Sequence, residues 1–147
     1  MTTSDAGLTY IQSQEGYTSD AIFDVNGWAA GYGHHGPDVV EGTVCDTTQA
    51  VAWLQQDVAT QEDELNNSGL AFTTQQFDAL VDFGYNAGPA RLQTVLDFLN
   101  NNDPQGAKSY LLSIVNAGGS PMQVLSNRRQ YEAAQFDFDN WTLKKKQ

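Results

Sequence analysis

The chain has 147 residues, of which 18 are Asp or Glu and 7 are Lys or Arg, giving a formal net charge of −11 at pH 7. Residues 1–90 contain no Lys or Arg at all, so no basic surface is available there for a nucleic acid, and nucleic acid is not an expected partner. No apolar run reaches the ~20 residues of a membrane span, and the N-terminus lacks the basic and apolar segments of a signal peptide or signal anchor.

The first fifty residues predict one helix followed by short strands. Ser4 is a helix-capping residue, Leu8 and Ile11 recur at helical spacing, and Gly16 is a stop signal. From residue 21 to residue 34 the pattern changes to two β segments, AIF and WAAGY, around a Val-Asn-Gly turn. A small antiparallel sheet is therefore expected after the first helix.

The rest of the chain predicts helices. A long helix capped by Asp46 or Thr47 is expected to connect two lobes, and four start signals follow it: Thr73 with Gln76, Pro89, Asp103-Pro104 and Ser120-Pro121. In the tail, the aromatic residues are expected to pack back and the lysines to fray. We expect one domain, with a lobe at 1–48, a connecting helix at 49–67, a helical lobe at 70–136 and a tail at 137–147.

Two acids flank the predicted hairpin. Glu15 stands at the end of the first helix, whose carbonyl end disfavours an ionised side chain, and Asp24 precedes the turn. Glycan cleavage needs one carboxyl that donates a proton and another that stays ionised. Two acids nine residues apart are common, and a solvated Glu with a turn-capping Asp explains them equally well.

The surrounding residues resemble the phage-type lysozymes, also called endolysins, of glycoside hydrolase family 24. The matching segments are EG at 15–16, Asp24, Gly27, GYGH at 31–34, GPDV at 36–39, DTTQAVAWLQQDV at 46–58, LAFTTQQFDALVDFGYNAG at 70–88, NAGG at 116–119 and NRRQYE at 127–132. The resemblance covers roughly residues 5–136. No single segment is specific to the family, but the combination is.

The resemblance implies an α+β, two-lobed lysozyme-like fold: an N-terminal helix and antiparallel sheet, a connecting helix and an all-helical C-terminal lobe. It implies cleavage of the β-1,4 bond between N-acetylmuramic acid and N-acetylglucosamine in peptidoglycan, with Glu15 as general acid and Asp24 directing water or stabilising charge. It also implies that Arg128 supports the catalytic Glu, and that His35, Tyr85 and Thr94 line the sugar groove. A monomer without cofactor is expected, held in the host cytoplasm before lysis.

One family residue is missing. The Thr that follows the catalytic Asp in the family falls at Ala29 or Ala30, depending on the alignment. Two alternatives to a hydrolase follow from this loss. One is a lytic transglycosylase, which forms an anhydro product without an attacking water, and the other is a non-catalytic wall-binding or virion protein.

Adjacent histidines at 34 and 35 raise the question of a metal site. Neither has a Cys or carboxylate at ligand spacing, so no metal is expected. The resemblance implies instead that His34 forms a structural ion pair with Asp57 on the connecting helix.

Overall fold

The computed structural model describes residues 1–147, in which a first helix is followed by a three-stranded sheet and then by six further helices. The N-terminal elements are α1 (Asp5–Glu15), β1 (Thr18–Asp24), β2 (Gly27–Gly31), β3 (His34–His35), α2 (Thr47–Asp57) and α3 (Ala59–Asn66). The C-terminal elements are α4 (Thr74–Ala87), α5 (Pro89–Asn100), α6 (Pro104–Ser113), β4 (Asn116–Ala117), β5 (Ser120–Pro121) and α7 (Gln123–Phe136), before a short 3₁₀ helix at Phe138–Asn140. None of the helices combines the length and apolar character needed to cross a membrane.

The sheet is antiparallel with the order β1-β2-β3. In the first hairpin Ile22 pairs with Ala29 and Asp24 with Gly27, which leaves a two-residue loop at the tip. In the second, Ala29 pairs with His35 and Ala30 with His34. Directly opposed residues point to the same side of a sheet, and successive residues alternate. Ala29 and His35 therefore share one face, and Ala30 and His34 share the other.

Most helix starts are those predicted from the sequence. Asp46 caps α2 by accepting a hydrogen bond from the Gln49 N–H at 2.8 Å. Thr73 and Gln76 form the predicted capping box of α4. Asp103 caps α6, whose first residue is a proline that needs no N–H partner.

The predicted connecting helix over residues 49–67 is instead two helices. The hydrogen-bonded ladder is interrupted at Val58, which caps α2 with a ψ of −10°. This value lies outside the usual α-helical range, and α3 begins at the next residue.

Two further predictions are wrong. Ser120-Pro121 does not begin a helix, because Gly118 and Gly119, both with positive φ, reverse the chain and pair this dipeptide with Asn116–Ala117. The terminal lysines do not fray. Their backbone is hydrogen-bonded to the segment before α4, with Ala71 N–H donating to Lys144 O and Lys146 N–H donating to Gly69 O, each at 2.8 Å.

The chain forms two compact units. The first, residues 8–59, contains the sheet and a core in which Ala30, Val39, Cys45, Ala50 and Trp53 pack together. The second, residues 1–7 and 60–147, is built around α4, whose Phe77, Leu80, Val81 and Phe83 are fully buried.

Candidate active site

Glu15 is the last residue of α1, and its position is set by the glycine that follows. Gly16 has a φ of +72°, a conformation that favours glycine, and its N–H donates to Gln12 O at 3.1 Å. The helix therefore ends at Glu15, whose side chain is half-buried. The carbonyl groups of this last turn have no partner within the helix.

Asp24 is the last residue of β1 and caps the hairpin turn. Its Oδ1 accepts a hydrogen bond from the Asn26 N–H at 2.7 Å. This bond, followed by the hydrogen bond from His35, lowers the pKa of the Asp24 carboxyl below its ordinary value. Asp24 is thus held as an ionised carboxylate, suited to binding water or stabilising positive charge and unsuited to donating a proton.

His35 contacts Asp24 directly. Its Nε2 lies 2.9 Å from Oδ2 and 3.0 Å from Oδ1 of the carboxylate, and its Nδ1 lies 3.0 Å from Gly33 O. The family resemblance places His35 in the sugar groove but does not indicate this contact. The signal that could have found it is strand alternation across two hairpins, which puts position 35 on the same face as Asp24.

The two alanines at the position of the missing Thr lie on opposite faces of the sheet. Ala29 shares the face of Asp24 and His35, since it pairs with both Ile22 and His35. Ala30 is fully buried in the core with Trp53. A hydroxyl next to Asp24 would therefore belong at position 29, where this chain has a methyl group.

His34 lies between two carboxylates on the other face. Its Nδ1 is 2.8 Å from Asp57 Oδ2 on α2, the contact that the resemblance implies, and its Nε2 is 3.1 Å from Asp38 Oδ1. The ring stacks on Trp53 with centroids 4.6 Å apart. Burial raises the pKa of Asp57, whereas the His34 hydrogen bond lowers that of Asp38. That the pair serves stability stays a prediction.

In the second unit, Arg128 makes a two-pronged contact with Asp82. Its Nε and Nη2 donate to the two carboxylate oxygens at 3.0 and 2.7 Å, and both side chains are buried. The resemblance implies that Arg128 supports the catalytic Glu, but it does not indicate that Asp82 is the partner of Arg128. Two bonds to a buried carboxylate fix the guanidinium in one orientation.

Next to this pair, the guanidinium of Arg129 contacts the buried carboxyl group of Glu132. Arg129 Nε is 2.7 Å from Glu132 Oε1, outside good hydrogen-bond angles, and its Nη2 donates to Oε2 at 3.1 Å. The same Nη2 donates to Asn86 Oδ1 at 2.7 Å, and the guanidinium covers the Phe83 ring at 4.9 Å. These contacts anchor α7 to α4.

The other two residues assigned to the sugar groove also lie in the second unit. Tyr85 is half-buried on α4. Thr94 is half-buried on α5, and its hydroxyl donates to Ala90 O of the same helix at 3.2 Å. Among His, Cys, Asp and Glu side chains, no group of three or more is arranged to hold a metal ion.

Comparison with known proteins agrees with this architecture. The family model described as phage lysozyme matches residues 12–132. An endolysin of Bacillus phage PZA is 36% identical over 143 residues, which are 93% of this chain and 55% of the relative. An endolysin of Bacillus phage B103 is matched over 54% of its own length. The chain thus spans about half the length of these curated relatives.

Two solved structures share the fold. The endolysin from Escherichia coli O157:H7 phage FAHEc1 matches with a TM-score of 0.80 and 28% identity, over 92% of this chain and 93% of that one. The muramidase domain of SpmX from Asticaccaulis excentricus matches with a TM-score of 0.82 and 30% identity, over 91% and 96% of the two chains. The expected α+β, lysozyme-like fold is confirmed.

Proposed function

This chain belongs to the phage lysozyme family, and we propose that it hydrolyses the β-1,4 bond between N-acetylmuramic acid and N-acetylglucosamine in bacterial peptidoglycan. The observation that carries the proposal is the state of Asp24, a carboxyl group kept ionised by its turn and by His35, in the same unit as Glu15 at the end of α1. Glycoside hydrolysis requires one carboxyl group that stays ionised and a second one that donates a proton, the role we assign to Glu15.

In this proposal Glu15 is the general acid. It gives its proton to the glycosidic oxygen as the bond to the anomeric carbon breaks, so that the leaving sugar departs as a neutral alcohol. The Asp24 carboxylate binds the attacking water or stabilises the positive charge that develops on the sugar ring. Water then bonds to the anomeric carbon and passes a proton either to Asp24, where this carboxylate binds the water, or to the Glu15 carboxylate. Proton exchange with solvent restores both groups, which completes a hydrolysis without any cofactor.

The other site residues have supporting roles. His35, Tyr85 and Thr94 bind the glycan, and Arg128 is assigned to active-site support. Asp82 holds the Arg128 guanidinium in place through its two hydrogen bonds. His34 and Asp57 stabilise the sheet against α2. The protein acts as a monomer and, as an endolysin, waits in the host cytoplasm before it lyses the cell through its wall.

The test is the variant Glu15→Gln, which keeps the size of the side chain but cannot donate an acidic proton. General acid catalysis is typically worth ~10²–10⁴-fold, so we expect the clearing of purified cell walls to slow by that factor. Glu41→Gln is the matched control, because Glu41 is an exposed residue of a loop in the same unit. If Glu15→Gln clears walls as fast as Glu41→Gln, Glu15 is not the acid.

A further inference from the structure

The side chain of His35 faces hydrogen-bond acceptors with both ring nitrogens. Its Nδ1 lies 3.0 Å from the Gly33 carbonyl oxygen, and its Nε2 lies within 3.0 Å of both Asp24 carboxylate oxygens. An ionised carboxylate can only accept, so the ring nitrogen that faces it, Nε2, has to donate. The His35 ring therefore provides a hydrogen bond to the negative Asp24.

The sheet explains why this ring reaches Asp24. Position 35 on β3 is opposite Ala29 on β2, and Ala29 is opposite Ile22, two residues before Asp24 on β1. All four side chains therefore lie on one face. Because residue 29 offers only a methyl group, it neither blocks the imidazole nor supplies a donor of its own.

We propose that His35 is the positioning residue of Asp24 and provides from β3 the hydrogen-bond donor that β2 lacks at Ala29. The proposal rests on the proposed function, in which Asp24 binds water or stabilises charge. The Asn26 N–H donates to Oδ1 of Asp24, and His35 contacts both carboxylate oxygens. These contacts hold the carboxylate in one orientation, so its remaining lone pairs face a fixed direction. Its alignment then costs nothing at the moment of reaction.

His35 differs from His34 in the charged groups that it contacts and in its exposure to solvent. Asp24 is the charged group that faces its ring, and Asp57 is close enough to be affected by the charge of His35. The side chains of His35 and Asp24 are 34% and 40% exposed, so water screens the pair, and it adds little to stability. The His34 side chain is 6% exposed on the opposite face, stacked on Trp53. The two histidines therefore provide a matched comparison.

The experiment compares His35→Ala with His34→Ala in the full chain. For His35→Ala we expect kcat on peptidoglycan to fall about tenfold, the value of one charge-assisted hydrogen bond, with KM changed much less and the melting temperature nearly unchanged. In the same variant, carbon NMR of the Asp24 carboxyl should show its pKa moving up towards the ordinary value, because one of the bonds that lower it is gone. For His34→Ala we expect the reverse pattern, a lower melting temperature with kcat of the folded protein retained.

Rescue distinguishes positioning from a merely structural contact. The double variant His35→Ala with Ala29→Thr places a hydroxyl on the same face and should recover several-fold of the lost kcat, whereas Ala29→Thr alone should gain little. An active wild type whose His35→Ala variant keeps its kcat and its Asp24 pKa would overturn this inference alone. A wild type that cleaves no glycan would overturn the proposed function and the catalytic part of this inference, while the NMR titration would still report whether the ion pair exists.

Discussion

At the scale of single residues, the state of Asp24 is set by two short hydrogen bonds rather than by burial. The Asn26 N–H donates from the turn and His35 donates from the neighbouring strand, and both favour the charged form. The bond from the Asn26 N–H is the larger of the two causes that lower the pKa of Asp24.

The charge of Asp24 can be separated from its turn-capping role. In Asp24→Asn the side-chain oxygen can still accept from the Asn26 N–H, so the hairpin should remain folded. The negative charge is lost, and we expect glycan cleavage to fall by at least tenfold, measured on purified walls alongside the melting temperature. Asp20→Asn, on the same strand and exposed, is the control. Full activity in Asp24→Asn would mean that the reaction needs only Glu15.

The sequence predicts Glu15 and Asp24 because their signals are local. A helix stop at Gly16 and an Asp three residues before a turn glycine can each be recognised from neighbouring residues. The contact between Asp24 and His35 spans eleven residues and depends on the register of two hairpins. Farther from the turn, a bulge between Thr18 and Ile22 shifts the pairing of the same two strands, and composition gives no sign of it.

At the scale of elements, the ring of His34 joins β3 to α2. The ring is stacked on Trp53 and its Nδ1 is hydrogen-bonded to Asp57, both on α2. Its other nitrogen, Nε2, is hydrogen-bonded to Asp38. Without this ring the half-buried Asp57 would have a desolvated charge with no partner. We therefore expect this contact to stabilise the unit more than an exposed ion pair of the same length would.

We expect His34→Asn to lower the free energy of unfolding by about 3 kcal/mol, since removing one partner leaves a buried charge uncompensated. Thermal and urea unfolding would measure the loss, and the specific activity of the folded fraction should stay close to that of the wild type. Unchanged stability, or an activity that depends on added metal ions, would contradict the structural role of this histidine.

The helix pair α4 and α7 carries a second buried network with an unusual acid. Burial, and then the hydrogen bond and charge of Asp82, raise the pKa of Glu132 from 4.5 to about 10. Between these values the folded state keeps the proton and the unfolded state loses it. Unfolding therefore releases a proton, and the contribution of Glu132 to stability falls as pH rises, by up to ~1.4 kcal/mol per pH unit.

Glu132→Gln imitates the protonated form and should remove this dependence. We expect a melting temperature at pH 7 equal to or above that of the wild type, and a shallower decline between pH 6 and pH 9 in thermal scans. Glu41→Gln again controls for the change from carboxyl to amide on an exposed residue. A loss of several kcal/mol at pH 7 would show that Glu132 is ionised and paired with Arg129 instead.

Sequence signals predict some elements of the chain and miss others for a physical reason. Caps such as Asp46 and Thr73 act within one turn, so the starts of their helices are predicted correctly. Ser120-Pro121 has the same local pattern as Asp103-Pro104, but the turn at Gly118 and Gly119 pairs it into a hairpin. The terminal lysines are held by the backbone of residues 69–71, a long-range pairing that a charged, polar tail does not indicate.

At the scale of the whole molecule, the chain is strongly acidic, and every Lys and Arg residue lies at or after Arg91. Peptidoglycan is also anionic, so long-range attraction cannot bring this protein to its proposed substrate. Binding has to come from short-range contacts with the sugars, and repulsion is reduced at physiological ionic strength, where charges are screened beyond about 8 Å. Of the basic side chains, Arg128 and Arg129 are buried against acids, which leaves few cations at the surface.

The central claim is that water, directed by Asp24, attacks the sugar after Glu15 donates its proton. Mass spectrometry of the muropeptides that the wild-type protein releases from purified peptidoglycan tests this most directly. The account predicts fragments with reducing N-acetylmuramic acid ends, and their release should be lost in Glu15→Gln. Anhydro ends would contradict it in favour of a lytic transglycosylase, and binding to the wall without any release would contradict it in favour of a non-catalytic protein.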